Sequence, residues 1–522
     1  MKTSYLITLL FSLALSLGLF LTLTPGRVHA AGPITVTTAA DSDAADSDCS
    51  LREALVAANT DTAYNGCPAG SGADGITFAG NYTITLTSAL PAITSSVTIT
   101  GTGTANTIIQ ASTCNPVTLP GGCTPATHRV FTVMTGTVIL NDMTVRHGAC
   151  KTGGACSIVV SNGGNIYATA ANLTLDAVNV QSGYASSLGG GIYSTKGNLT
   201  LLNNSLIGGE GAGNSTGGDG GGIYFRDGQN LVVDNSRVLY NYASNYAGGL
   251  YFEGNNTTAV IQNGSQIDHN TAEPNGGDYA GGLYAFGTNC LLTIADSSVS
   301  HNLSGGPAGG LWTACATTLT GSTIFSNTTT NNGGGVHIHT SGIVTVTNST
   351  IYSNTATGVT KNGGGIYNAG TLTVINSTVA GNSTTANGGG IYTQGTLHLK
   401  NTILANSPSG GDCYNLTGDT IATNTTNLIE TNGAAGHMCG TPAFTADPVL
   451  GPLSNNGGKT QTMALLTGSP AIDTGDNATC AAAPVNNLDQ RGIPRPQGDN
   501  CDIGAFEWPV ATIYLPIVVK NN

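Results

Sequence analysis

The chain has 522 residues, of which only 8% are charged, and its formal net charge is −13 at pH 7. Such an acidic chain repels a phosphate backbone, which argues against a nucleic-acid-binding protein. Its 75 glycines are about twice the usual share and indicate a turn-rich, repetitive β protein.

Residues 1–30 have the pattern of a signal peptide. Lys2 supplies the positive start, an apolar run extends from Tyr5 to Leu23, Pro25 interrupts it, and Val28-His29-Ala30 offers a cleavage site. The alternative is an uncleaved anchor helix, because the apolar run is nearly long enough to cross a bilayer. Cleavage would leave a mature chain without a transmembrane span, located outside the cell or on its surface.

Residues 31–105 are predicted to form an N-terminal cap. Leu51, Ala54, Leu55 and Ala58 give one apolar helical stripe, which suits a short helix covering the first coil of a repeat protein. The segment from Cys49 to Ala54 reads CSLREA and resembles the CSLREA domain of exported repeat proteins. That resemblance implies surface display and no settled activity.

Four carboxylates precede this helix within eight residues: Asp41, Asp43, Asp46 and Asp48. Carboxylate oxygens are the ligands that calcium prefers, so calcium is the ion this segment suggests, although no cofactor is expected to be required. The alternative is a solvated acidic turn. The spacing does not fit an EF-hand.

Residues 106–410 are predicted to be the repeat region. One unit recurs about every 28 residues, with a glycine-rich turn, an aliphatic, an aromatic, an alternating strand and an aliphatic-x-x-Asn ending. Strands this short bury a face only by stacking, so the fold class is all-β, a right-handed single-stranded parallel β-helix with disulfide-stapled caps at both ends. The leucine-rich repeat is disfavoured because its LxxLxL frame is absent.

Two rows of side chains follow from this stacking. The asparagines that end the units should form an inward ladder, namely Asn241, Asn270, Asn302, Asn327, Asn354, Asn382 and Asn406. The aromatic position should point outward and form an exposed strip that either binds sugar rings or only stabilises the stack. Its members are Tyr167, Tyr193, Tyr224, Tyr251, Tyr284, Trp312, His337, Tyr367 and Tyr392.

Units such as Gly363 to Ser383 resemble the β-helix repeats of polymorphic outer-membrane and adhesin-like proteins, with an aliphatic residue where those carry an aromatic. Residues 411–509 contain the stretches Asn456 to Asp473 and Cys501 to Glu507, which resemble a choice-of-anchor Q type of C-terminal domain. Residues 510–522 form an apolar tail, either a sorting signal or a last strand.

Twelve cysteines in an exported chain are expected to form disulfides, and the chain has no CxxC motif that would indicate a zinc ribbon or a redox site. Neighbouring cysteines would each close a local loop. The expected pairs are Cys49 with Cys67, Cys114 with Cys123, Cys150 with Cys156, Cys290 with Cys315, Cys413 with Cys439, and Cys480 with Cys501.

The best catalytic cluster that the sequence offers lies at the corner that precedes the asparagines. His269 and His301 occupy the same slot of adjacent coils, and Asp268 precedes the first histidine. Stacking would bring these side chains together, although solvated corners explain them equally well. The outward rings Tyr224, Tyr251, Tyr284, Trp312, Tyr367 and Tyr392 are the candidate ligand-binding residues.

These features favour a secreted or cell-surface structural or adhesive rod that binds glycans or other surface proteins. The main alternative is a polysaccharide lyase or glycoside hydrolase, because many such enzymes are β-helices, yet fold alone does not give function. A bare spacer with no ligand is the third possibility. The acidic residues of the repeats are scattered, which disfavours the enzyme.

Overall fold

The computed structural model describes residues 32–152, 156, 161–273, 279–416 and 421–509. The predicted signal peptide and the tail from 510 to 522 lie outside these ranges. The described chain is a parallel β-helix of about 12 turns, which confirms the predicted fold class. Among the described residues, no helix is both long enough and apolar enough to cross a membrane.

The described solenoid strands form parallel sheets of 25, 9 and 11 strands. The 25-stranded sheet has two faces that are joined through two long strands, and these faces are here named sheets A and B. The nine-stranded sheet is named C and the 11-stranded sheet D. Sheet A consists of Ile34–Val36, Asp74–Phe78, Val97–Thr100, Gly136–Arg146, Ala171–Gln181, Leu199–Leu202, Asn230–Asp234, Thr258–Gln262, Leu291–Ala295, Ala316–Thr320, Ile343–Thr347, Thr371–Ile375, Thr396–Lys400 and Ile421–Thr425.

Two long strands of sheet A, Gly136–Arg146 and Ala171–Gln181, also belong to sheet B, because their second halves pair with strands of that sheet. Its other strands are Thr83–Thr85, Ile108–Gln110, Leu206–Gly208, Arg237–Leu239, Gln266–Asp268, Ser298–Ser300, Thr323–Phe325, Thr350–Tyr352, Thr378–Ala380, Ile403–Ala405 and Leu428–Ile429.

Sheet C is built from nine two-residue strands that turn the chain toward sheet D. They are Ala149–Cys150, Tyr184–Ala185, Ser215–Thr216, Tyr242–Ala243, Thr271–Ala272, Leu303–Ser304, Thr328–Thr329, Thr355–Ala356 and Ser383–Thr384. The 11 strands of sheet D are Phe131–Val133, Ile166–Thr169, Ile192–Thr195, Ile223–Arg226, Leu250–Glu253, Leu283–Phe286, Leu311–Thr313, Val336–Ile338, Ile366–Asn368, Ile391–Thr393 and Cys413–Asn415.

The core follows from strict alternation along these strands. In Thr258–Gln262, Ala259 and Ile261 are fully buried and point inward, while their neighbours are partly exposed. The next coil repeats this pattern in register, with Ile261 paired to Ile294. Parallel pairing between coils satisfies the backbone, so one continuous apolar core fills the whole solenoid.

The N-terminal end is closed by helix α1, Leu51–Thr60, as predicted. Ser50 caps the helix and forms a capping box with Glu53, which fixes where the helix begins. Leu51 and Leu55 are buried against the first coils. Strands of sheet A already begin at Ile34–Val36, so the predicted N-terminal cap contributes coils as well as the helix.

The C-terminal region folds back along the rod. After the last solenoid strand, Leu428–Ile429, this region contains the antiparallel hairpin Leu450–Ser454 with Thr462–Leu465 and helix α2, Asn477–Ala481. A separate apolar cluster, including Ile503 and Phe506, packs on the last coils. A 3-10 helix, Pro120–Gly122, lies in an earlier loop.

Six disulfides are present, and they join the six predicted pairs. The Cys290–Cys315 bond joins two adjacent coils, while the Cys49–Cys67 bond links the start of α1 to the loop after it. The Cys480–Cys501 bond closes the C-terminal region. These crosslinks restrict the unfolded chain and therefore stabilise the folded rod.

The predicted asparagine ladder is confirmed from Asn241 to Asn382. Each side-chain amide donates to the Oδ1 atom of the next member, as from Asn241 to Asn270 at 3.0 Å. Asn165 and Asn214 extend the row at its N-terminal end. The placement of Asn406 in this ladder is wrong, because the pairing of Ala380 with Ala405 puts Asn406 one residue before the ladder position, and its side chain is exposed.

Candidate functional site

The aromatic residues of sheet D stack as predicted. Tyr224 and Tyr251 lie 4.6 Å apart between ring centroids, and Tyr284 and Trp312 lie at the same distance. The row continues past Tyr392 to Tyr414 and His437. Each ring face therefore contacts the ring of the neighbouring coil, which accounts for the aromatic position in every unit.

The expectation that these rings form an exposed strip is wrong. Tyr224 is 3% exposed, Trp312 4%, and Tyr251 and Tyr392 7% each, while Tyr284 and Tyr367 are half-buried. The glycine-rich loops between sheets C and D cover the central rings from Tyr224 to Trp312, with contacts from Leu188, Tyr246, Ala247, Tyr279, Ala280 and Ala308. Sugar binding by the six candidate rings stays a prediction, and their faces are already occupied by one another.

Burial also changes the chemistry of these phenols. It raises the pKa of Tyr224 to about 12, and it raises the pKa of Tyr251 further, because the Tyr251 hydroxyl also donates to Glu253 at 2.8 Å. Both rings therefore stay neutral and act as packing groups.

The four N-terminal carboxylates do not converge on one point. Asp41 accepts two hydrogen bonds from the Arg52 guanidinium, at 3.0 and 2.8 Å, and further ones from Thr87. Asp43 accepts from the side chains of Tyr64 and Asn65. Asp46 accepts from the backbone N–H of Asp48. These contacts fix the loop before α1, and binding of calcium there stays a prediction.

Asp268, His269 and His301 do come together, as the sequence predicted. The Nδ1 atom of His269 lies 2.7 Å from Asp268 Oδ2, and that of His301 lies 2.9 Å from Asp268 Oδ1. The two imidazoles stack with their centroids 4.6 Å apart. Within the described ranges, this is the one group of three such side chains placed to share a metal ion.

Local backbone geometry explains the arrangement. Both histidines occupy the coil corner with φ of 53° and 49°, and each precedes a buried ladder asparagine, Asn270 or Asn302. Because each ladder asparagine points inward, the side chain of the histidine that precedes it must point outward. The pairing of Asp268 with Ser300 places the carboxylate beside the next corner, where the Ser300 hydroxyl donates to it at 2.7 Å.

Two residues of the cluster, Asp268 and His301, line a groove of about 350 Å³. One wall is the outer face of sheet B, including Gln266, Asp268 and His301, and the other is the segment 455–461 of the C-terminal region. Lys459 extends over the groove, with its Nζ atom 2.9 Å from Asn263 Oδ1 and 3.2 Å from Asp296 Oδ2.

The C-terminal wall is anchored by buried polar contacts. Gln490 accepts from the Thr350 hydroxyl at 2.6 Å and donates to Thr323 Oγ1 at 3.0 Å. The Thr460 hydroxyl donates to the backbone of Gly321 at 2.7 Å. Sequence reasoning missed Lys459 and this wall, because no local pattern signals which coil a distant segment will contact.

No family model matches the chain, and no curated protein matches it. The resemblances to the CSLREA and choice-of-anchor Q domains therefore stay predictions. Among solved structures, the crystal structure of pectate lyase Pel9A aligns with 73% of this chain and 88% of its own chain, at 14% identity and a TM-score of 0.38. So distant a likeness has no bearing on activity.

Proposed function

We propose that the protein is a secreted or cell-surface structural and adhesive rod, and that it holds a glycan in the groove between sheet B and the C-terminal region. Six disulfides and the signal-like first segment support export. The net charge of −13 argues against nucleic acid as the partner. Another surface protein is the alternative partner.

The observation that carries the adhesive role is the polar lining of the groove. Gln266, Ser298 and Asp268 offer hydrogen-bond donors and acceptors from the rod. Lys459 places an exposed cation on the opposite wall, and its Nζ atom also contacts Asn263 and Asp296. Phe325 adds an apolar edge. Hydroxyl-rich sugars are bound by such convergent polar groups beside an apolar surface.

Rigidity supports the same role. The rod wall is fixed by coil pairing and the asparagine ladder, and the opposite wall by Gln490, which is buried. When the walls of a groove are already ordered, ligand binding does not have to supply the free energy of ordering them. The buried aromatic row then acts as internal support.

The test compares polysaccharide binding by the wild type with that by Lys459→Ala and Lys361→Ala. Lys459 is at the groove, whereas Lys361 lies outside its lining. Loss of one charge-assisted hydrogen bond should weaken binding by about tenfold in Lys459→Ala. Lys361→Ala should bind like the wild type. Equal binding by all three proteins would contradict the proposed location.

A polysaccharide lyase or hydrolase is the second candidate, and one contact favours it. His301 lies at the groove and is oriented through Nδ1 by Asp268, which is the arrangement of a base with its orienting partner. Incubation of acidic and neutral polysaccharides with the protein tests this candidate. Shortened chains that persist in Lys361→Ala and disappear in His301→Asn would support it.

A further inference from the structure

We infer that Asp268, His269 and His301 form a binding site for a divalent transition-metal ion of the Zn²⁺ type. The inference goes beyond glycan binding, because it rests on the ligand atoms of this cluster, although Asp268 and His301 also line the groove. Two imidazole nitrogens and one carboxylate oxygen lie within 4.8 Å of one another. A tetrahedral zinc site with bonds of about 2.0–2.2 Å spaces its ligand atoms by about 3.3 Å, so small side-chain movements complete the set.

The chemistry of the ligands selects the class of ion. Calcium and magnesium prefer shells made of oxygen, whereas imidazole suits zinc, cobalt, nickel and copper. The cluster provides two imidazoles and a single carboxylate, so it disfavours the oxygen-seeking ions. Three protein ligands leave a fourth position for water or for an oxygen atom of a ligand in the groove.

Coordination by an Nδ1 atom requires that this atom carry no proton. In the metal-free site the Nδ1 atom of each imidazole lies at hydrogen-bond distance from one oxygen of Asp268, at 2.7 Å for His269 and 2.9 Å for His301. When the ion enters, two coordinate bonds replace these hydrogen bonds, and each ring carries its proton on Nε2 instead. Solvent mediates that transfer, because both rings are exposed to it.

The surroundings hold the ligands in place. Tyr240 stacks on the outer face of His269 at 4.6 Å, and Phe325 packs edge-on against His301 at 5.1 Å. The Ser300 hydroxyl donates to the Asp268 carboxylate at 2.7 Å. Such outer contacts orient metal ligands and raise affinity, so the site needs little reorganisation to accept the ion.

The experiment titrates Co²⁺ and Zn²⁺ into tag-free mature protein. Visible absorption reports four-coordinate Co²⁺, and calorimetry gives the Zn²⁺ affinity and stoichiometry. The variants are His269→Asn and His301→Asn, because asparagine tolerates the positive φ of these corners. The matched control is His339→Asn, whose histidine bonds to Ser341 in an exposed turn.

The inference predicts one ion per wild-type chain, at least a tenfold loss of affinity in each corner variant, and no change in the control. Ser300→Ala should lower the affinity by about tenfold. If a corner variant misfolds by circular dichroism, Asp268→Asn replaces it, since it keeps the shape of the side chain. Absence of wild-type binding, or equal binding by wild type and corner variants, would overturn the inference.

Discussion

Substitution of Asn302 by alanine tests how much the asparagine ladder stabilises the rod. The Asn302 side chain donates to Asn327 Oδ1 and to the Ile267 carbonyl, both at 2.9 Å. Its Oδ1 atom accepts from the backbone and side chain of Asn270, at 2.9 and 3.0 Å. Alanine removes all four hydrogen bonds in a site that is 1% exposed. At about 1 kcal/mol for each bond, unfolding should become easier by about 4 kcal/mol.

Guanidinium denaturation under oxidising conditions measures this change, and native-state hydrogen exchange at the Asn270 amide shows whether the loss is local. The matched control is Asn230→Ala, because Asn230 is exposed at the start of a strand in sheet A. The control should change the free energy of unfolding by less than about 0.5 kcal/mol. Equal unfolding of the two variants would refute the argument that buried amide pairing holds the coils.

Three further predictions concern the crosslinks, the aromatic row and the C-terminal region. Replacing Cys290 and Cys315 by serine opens a loop with a sequence separation of 25 and should cost about 3 kcal/mol in the same denaturation assay. Trp312→Ala should cost about 3–5 kcal/mol because the ring is buried, yet leave polysaccharide binding unchanged in a retention assay. Burial raises the pKa of Asp502 from its usual value near 4 to about 7 in the folded protein. The protonated carboxyl group therefore contributes its full stabilisation below about pH 4, and this contribution is lost as the pH rises through 7. Thermal unfolding over that range should show the loss, and Asp502→Asn should remove it.

The repeat made most of the fold predictable. Alternation along each strand and stacking of each unit lead directly to the core and to the rows of asparagine and aromatic side chains, while the disulfide pairs follow from joining neighbouring cysteines. The error at Asn406 arose because the aliphatic-x-x-Asn pattern does not reveal a shift of one residue. The aliphatic-x-x-Asn pattern does not identify Asn214 as a ladder residue, because a glycine-rich insertion precedes this asparagine and interrupts the pattern.

The candidate site was predictable only in part. The common slot of His269 and His301 follows from the repeat, and so does their proximity. The burial of Tyr224 does not follow from the repeat, because it depends on how the loops between sheets C and D fold over the rings. The groove itself depends on contacts such as that between Gln490 and Thr350, which are 140 residues apart in the chain.

Size analysis of polysaccharides retained by the purified protein tests both the adhesive role and the groove as the binding site. Acidic and neutral chains are incubated with wild-type protein and with Lys459→Ala, and both the bound fraction and the chain length are measured. We expect the wild type to bind intact chains and the variant to bind them about tenfold more weakly. Shortened chains would contradict the structural and adhesive role, and equal retention by both proteins would contradict the groove as the binding site.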